Sequence, residues 1–242
     1  MVEYMSDDAT LFLNADDDLL SAYTCDKNRV LYGTGENADV RAENIDSSSL
    51  VSLSCDIVSG DRSFRVTVPA YGTHMVYAAL EGAAVGMALG LTDDEIANGI
   101  LNYETVGRRA SICDTGFITL IDDCYNANPD SVKCGIDSLK GSSGRKVCIL
   151  GDMLEMGENK EQLHESVGRY AAENGADLLL TVGELSINTG RGAKDICALH
   201  FDSNAELIEK LPELINKGDT VLVKASHSMR FDEISEALKL LK

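Results

Sequence analysis

No stretch of this 242-residue sequence approaches the 18 consecutive apolar residues that a membrane-spanning helix requires. The first ten residues, MVEYMSDDAT, are acidic and lack the apolar core of a secretory leader, so a cytoplasmic location is expected. Basic residues are scarce. Twenty-one Lys and Arg stand against 40 Asp and Glu, a formal net charge of −19. A field of that sign repels nucleic acid and anionic membranes, and neither is expected as a partner. The 7 cysteines form no CxxC pair, and their odd number and scatter point away from a zinc site or a disulfide framework. Most are expected as small buried side chains in a reducing compartment, and no metal site is expected within the chain. Also missing are GxxxxGK[ST], GxGxxG and GxSxG. Their absence removes the P-loop phosphate cradle, the dinucleotide fingerprint and the hydrolase nucleophile elbow.

What is present is enough apolar material, 44% of residues, for a substantial core. The length fits one large domain or two modest ones. In the first half, Thr10–Leu13 and Arg29–Tyr32 read as strands closed by polar or glycine-rich turns. Leu50–Val58 and Phe64–Val68 alternate apolar and polar around Ser59-Gly60-Asp61-Arg62, the pattern of a β-hairpin. His74–Leu89 is rich in Ala, Leu and Met and reads as a helix. Gly82 and Gly86 within it either admit a neighbouring backbone or are simply tolerated. Thr92 followed by Glu95 forms a capping box for another helix through Tyr103.

From about residue 108 the pattern is more regular. Apolar strands at Phe117–Ile121, Lys146–Leu150, Leu178–Val182, Ala198–Phe201 and Thr220–Val223 alternate with helical stretches near 131–140, 160–174, 186–196, 204–216 and 231–241. That alternation implies an α/β fold with a mainly parallel sheet covered on both faces. Ligands of such sheets collect beyond the carboxyl ends of the strands. Three strand ends are rich in hydrogen-bonding side chains. Asp122–Ser131 (DDCYNANPDS) could receive ribose hydroxyls, or could be a turn built of Asn, Asp and Pro with Asp130 capping the next helix. Gly151–Gly157 carries Asp152 and Glu155 between two glycines. Lys224–Arg230 offers a cation, hydroxyls and an imidazole at a helix entrance, suited to an anionic group or to capping by Ser226 or Ser228.

DDCYNANPDS resembles the DDxYNANPxS segment of the Mur ligases, in particular the type that joins D-alanyl-D-alanine to UDP-N-acetylmuramoyl-tripeptide. GDMLEMGE (Gly151–Glu158), LLLTVGE (Leu178–Glu184), HFDSNAELI (His200–Ile208) and GDTVLVKAS (Gly218–Ser226) match the same family in the same order. LNADD (Leu13–Asp17), DVRAENI (Asp39–Ile45) and VGRR (Val106–Arg109) extend the likeness over essentially the whole chain. The resemblance implies that residues 1–107 are the tail of the family's central ATPase domain. Residues 108–242 would then be its C-terminal Rossmann-like domain.

It implies an ATP-dependent amide ligase of peptidoglycan precursor synthesis. ATP, Mg2+, UDP-N-acetylmuramoyl-tripeptide and D-alanyl-D-alanine would be the reactants and cofactors. The P-loop lysine and the magnesium ligands would lie in an upstream segment, leaving this portion inactive by itself. By motif position, His74, Arg108, Asp123, Asn126 and Asn128 would serve the nucleotide. Asp152, Glu155, Lys224 and Ser226 would serve the incoming dipeptide. Three places depart from the family pattern. The asparagine expected after His74, which serves the adenine, is Met75, whose thioether lacks an amide's donors and acceptor. A second asparagine is Ala78, and the family's KGSR reads Lys224-Ala225-Ser226-His227, without the guanidinium. A diverged, non-catalytic binding or regulatory module is the alternative.

Overall fold

Two compact units, Met1–Glu104 and Thr105–Lys242, make up the computed structural model of the protein. The structure describes residues 2–70, 72–104 and 111–242.

In the first unit the strands are β1 (Thr10–Asn14), β2 (Asn28–Gly33), β3 (Val40–Asp46), β4 (Leu53–Ser59) and β5 (Arg62–Val68), in the order β1-β2-β3-β4-β5. The first three run parallel, and β4 and β5 are antiparallel additions. The expected hairpin is there with a tighter turn than its sequence pattern implied. Ser59 pairs with Arg62 across Gly60-Asp61, and Gly60 supplies the positive φ of +57°. A four-residue helix α1 (Asp18–Ser21) follows β1, capped by Asp17, whose carboxylate accepts from Leu19 N and Leu20 N.

Helix α2 (Met75–Ala88) lays Val76, Ala79, Leu80, Ala83 and Ala84 onto Val40, Ala42, Leu53, Cys55, Ile57, Val66 and Val68 of the sheet. The small alanines let the helix sit close to the β-branched sheet surface. Of the two glycines in question, Gly82 faces open space. Gly86 receives the side chain of Ile96 from α3 (Asp93–Leu101), where a Cβ would lie 2.9 Å from Ile96 Cγ1. The Thr92–Glu95 capping box starts α3 as its sequence requires.

The second unit carries β6 (Ser111–Asp114), β7 (Thr119–Asp122), α4 (Pro129–Ser138), β8 (Lys146–Gly151), α5 (Lys160–Glu173), β9 (Leu178–Val182), α6 (Ile187–Gly192), β10 (Cys197–Phe201), α7 (Asn204–Leu214), β11 (Thr220–Lys224) and α8 (Asp232–Lys239). The sheet order is β10-β9-β8-β11-β7-β6. Every pairing is parallel except β6 with β7 at one edge. All residues of β9 and β11 are buried, the mark of strands covered on both faces. Helix α6 ends earlier than its sequence pattern implied. Gly192 passes against the carbonyl of Glu165, and Gly168 of α5 lies under the carbonyl of Thr189, so two helices meet backbone to backbone. Among the described residues no helix is long and apolar enough to cross a membrane.

Candidate functional site

Because β8, β11 and β7 are neighbours and parallel, their carboxyl ends bring together loops that are distant in sequence. β7 ends at Asp122, which is buried and accepts a contact from Cys124 Sγ of the following loop at 3.0 Å. Asp123 N donates to Val223 O at 3.0 Å, which extends the β7–β11 pairing by one residue. Lys224, the last residue of β11, is 3% exposed at its side chain and reaches across to this loop. Its ammonium lies 2.5 Å from Asp123 Oδ2 and 2.9 Å from the carbonyl of Asn126. A place beside the incoming dipeptide is the expectation for Lys224, yet its charge is directed at the loop expected to hold the nucleotide. Beyond it, the rings of Tyr125 and His227 meet with centroids 5.6 Å apart.

The asparagines of this loop are engaged by their own backbone. Asn126 Oδ1 accepts from Ala127 N at 2.8 Å. Asn128 is the N-cap of α4: its Oδ1 accepts from Ser131 N at 2.8 Å, Ser131 Oγ accepts from Asn128 N at 3.1 Å, and Pro129 occupies the first turn. The cap is thus Asn128, and not Asp130 as the turn alternative has it. Asp130 sits inside the first turn, where its charge suits the helix dipole.

The loop after β8 is held from three sides. Ser226 Oγ accepts from Leu154 N at 2.9 Å, while Ser226 N donates to the carbonyl of Asp152 at 3.1 Å. Ser226 therefore ties this loop, and its hydroxyl does not cap the short 3-10 turn His227–Met229 that follows it. Asp152 is 6% exposed, and its Oδ1 accepts from Leu185 N at 3.1 Å and Ser186 N at 2.7 Å, anchoring the entrance to α6. Gly183, at φ +117°, leaves the room that this carboxylate fills. The fully buried His164 completes the frame. Its Nε2 accepts from Met153 N at 2.9 Å and its Nδ1 donates to the carbonyl of Lys160 at 2.6 Å, which fixes the proton on Nδ1. Glu155, at the crest of this loop, is exposed and held in the left-handed region at φ +62°. A non-glycine residue there costs about 1 kcal/mol and persists only where its surroundings impose it.

In the first unit, His74 is exposed at the start of α2, and its ring lies over Gly72, where a Cβ would come within 2.6 Å. Asp16, at the carboxyl end of β1, gathers Thr34 N at 2.7 Å, Thr34 Oγ1 at 2.8 Å, Gly35 N at 3.3 Å and Tyr77 OH at 3.0 Å. Burial raises its pKa, and these donors outweigh it, so the carboxyl is held below the ordinary range. Within LNADD its strand-end position was the only local signal for this role. Neither His164 nor the Tyr125–His227 pair had any local sequence signal, since each depends on elements far apart in the chain. Arg108 lies outside the described residues.

A mainly parallel sheet with helices between its strands places the second unit in the doubly wound α/β class, in which strand-end loops are where ligands collect. Residues 107–227 match the family model of the Mur ligase glutamate ligase domain, and the chain belongs to the Mur ligase family. Among curated relatives, the UDP-N-acetylmuramoyl-tripeptide–D-alanyl-D-alanine ligase of Bacillus subtilis is 31% identical over 248 residues, covering 98% of this chain and 53% of the relative. The enzyme of the same name from Escherichia coli is 35% identical over 208 residues, covering 84% and 45%. The chain spans about half the length of the curated relatives it matches. MurF from Acinetobacter baumannii has the same fold, with a TM-score of 0.88 at 24% identity over 98% of this chain and 53% of that one. MurF of Thermotoga maritima in complex with ADP gives 0.82 at 23% identity over 96% and 53%.

Proposed function

We propose that this chain is the C-terminal portion of an ATP-dependent ligase of peptidoglycan precursor synthesis, the type that joins D-alanyl-D-alanine to UDP-N-acetylmuramoyl-tripeptide. Residues 1–107 serve as the tail of the ATPase domain and 108–242 as the C-terminal domain. In the reaction, the γ-phosphoryl group of ATP passes to the terminal carboxylate of the tripeptide, giving an acyl phosphate and ADP. The amine of the dipeptide then attacks the acyl carbon. A C–N bond forms, the C–O bond to phosphate breaks, and the amine gives up a proton. Charge develops on the transferring phosphoryl group, and cations are required there.

The observation that carries this reading is the tie between the DDCYNANPDS loop and the KAS segment of β11, two family-like motifs nearly 100 residues apart that share one strand-end site. Asp123 is suited to accept hydrogen bonds from ribose hydroxyls, with Asn126 and Asn128 setting the backbone of its loop. Arg108 and His74 are assigned to the nucleotide by motif position. Asp152 and Ser226 frame the loop that presents Glu155, and an exposed carboxylate there suits the ammonium group of an incoming peptide. Among the described residues no three His, Cys, Asp or Glu side chains group so as to hold a metal. The phosphate and metal clamp belongs to sequence outside these 242 residues.

A second reading, a binding module without ATP chemistry, is favoured by Met75 and Ala78, which offer no amide to a nucleotide base where α2 begins. One assay separates the two. The purified chain is mixed with ATP, magnesium, UDP-N-acetylmuramoyl-tripeptide and D-alanyl-D-alanine, with and without a P-loop-bearing N-terminal half of a relative. Phosphate release that depends on both substrates and appears only with the added half is expected. Release by the chain alone would overturn the assignment of the clamp to another segment. Silence in both mixtures would favour the binding module.

A further inference from the structure

The cation of β11 does not face outward. Lys224 is 3% exposed at its side chain, its stem runs over Gly135 of α4, and its ammonium is committed to Asp123 Oδ2 and Asn126 O. Gly135 leaves space for that stem: a Cβ there would lie 3.6 Å from Lys224 Cδ and 3.2 Å from Leu222 Cδ2. A buried ammonium that leaves its carboxylate for a ligand exposes an uncompensated charge on each side, a costly exchange. A buried lysine with two short charge-assisted contacts therefore acts on what it touches.

We propose that Lys224 is a positioning residue for the nucleotide, not a contact for the dipeptide. It fastens the Asp122–Asn128 loop to the end of β11 through one carboxylate oxygen and one carbonyl, which presets the orientation of Asp123 before any ligand arrives. This rests on the ligase reading, because that reading assigns the loop to the ribose. The loop after β8, tied separately through Ser226, Asp152 and His164, serves the dipeptide without Lys224.

The test uses the full chain with Lys224→Met, Asp123→Asn and the double variant. Backbone hydrogen exchange is read in residues 122–128 and, as an internal reference, in 152–156. ADP and D-alanyl-D-alanine binding are measured by calorimetry. Lys224→Met is expected to speed exchange in 122–128 at least tenfold with 152–156 unchanged. It should weaken ADP at least tenfold and leave D-alanyl-D-alanine unaffected. The double variant should be no worse for ADP than the weaker-binding single, since the two side chains act as one unit, and it removes the stranded buried charge should Lys224→Met fold poorly. A loss of dipeptide affinity with ADP unchanged would overturn the proposal, as would unchanged exchange in 122–128. If wild type binds no ADP even with the P-loop-bearing half of a relative added, the ligase reading fails, while the exchange data still decide whether Lys224 holds the loop.

Discussion

The hydroxyl of Tyr77 donates to Asp16 Oδ2 at 3.0 Å and so joins the first turn of α2 to the end of β1. The same carboxylate holds Thr34 and Gly35 of the turn between β2 and β3, so three segments meet at one charge. Tyr77 suits the donor role, since burial and then Asp16 itself push its hydroxyl above the usual tyrosine pKa.

Asp16 has a lowered folded-state pKa, so its stabilisation is complete above the unfolded carboxylate value near ~4 and fades as pH falls through the folded value. Asp16→Asn is expected to cost about 1 kcal/mol at pH 7, at the low end for bonds to a charged group because the carboxylate is solvent-exposed. Urea midpoints of wild type and variant should converge as pH is lowered below about 4. A gap that keeps its full pH 7 size down to pH 3 would show that the charge is not what matters.

Two glycines should respond in opposite directions. Gly168→Ala places a Cβ against the carbonyl of Thr189 and is expected to destabilise the second unit by about 2 kcal/mol or more. Gly82 lies exposed in the middle of α2 with nothing near its missing Cβ, and Gly82→Ala is expected to stabilise by about 0.5–1 kcal/mol. Denaturant unfolding followed by circular dichroism distinguishes them, and equal effects at both positions would contradict the close α5–α6 contact.

Thiol chemistry should be graded by burial. Cys55 and Cys148 are fully buried, and desolvation pushes their thiols up to about 11 and about 12. Cys197 is exposed. Because the thiolate is the reactive form, iodoacetamide at pH 8 should modify Cys197 first and reach Cys55 and Cys148 only on unfolding. Peptide mass spectrometry gives the order, and early labelling of Cys148 would contradict the burial of β8.

Amide exchange should divide the molecule. β9 and β11 are buried along their whole length, whereas β1 is an edge strand with one buried residue in five. Slow exchange in β8, β9 and β11 and faster exchange in β1 and β2 are expected. Uniform protection across both units would be the contrary result.

The regular alternation of the second half was readable because buried parallel strands are near-continuous apolar runs. Leu178–Val182 has the same limits in sequence and structure, and Lys146–Leu150 and Thr220–Val223 each extend by one residue. β3 has no strand signature in the sequence, because its second half, Glu43–Asp46, is exposed, polar apart from Ile45, and broken by a bulge with Asn44 at φ +49°. β6 leaves no clear signal in the sequence, being a four-residue edge strand whose hairpin turn is closed by Thr115 and Gly116. At the site, the chemistry-bearing loops were legible as polar strand ends. Which of them touch was not, because that depends on β11 lying between β8 and β7, and strand order has no local signature. The place of Lys224 follows from that order alone.

That order has a consequence for synthesis. β11, the latest in sequence of the second unit's described strands, is the one that joins β8-β9-β10 to β7-β6. Until residues 220–224 have emerged from the ribosome, the nascent domain is two partial sheets with facing unsatisfied edges, the kind of surface that recruits foreign strands. A stop codon or a proteolytic cut before Lys224 would leave no smaller working domain, only an open cleft through its middle. The second unit thus carries its own completion signal: its sheet can close only when residues 220–224 have been delivered.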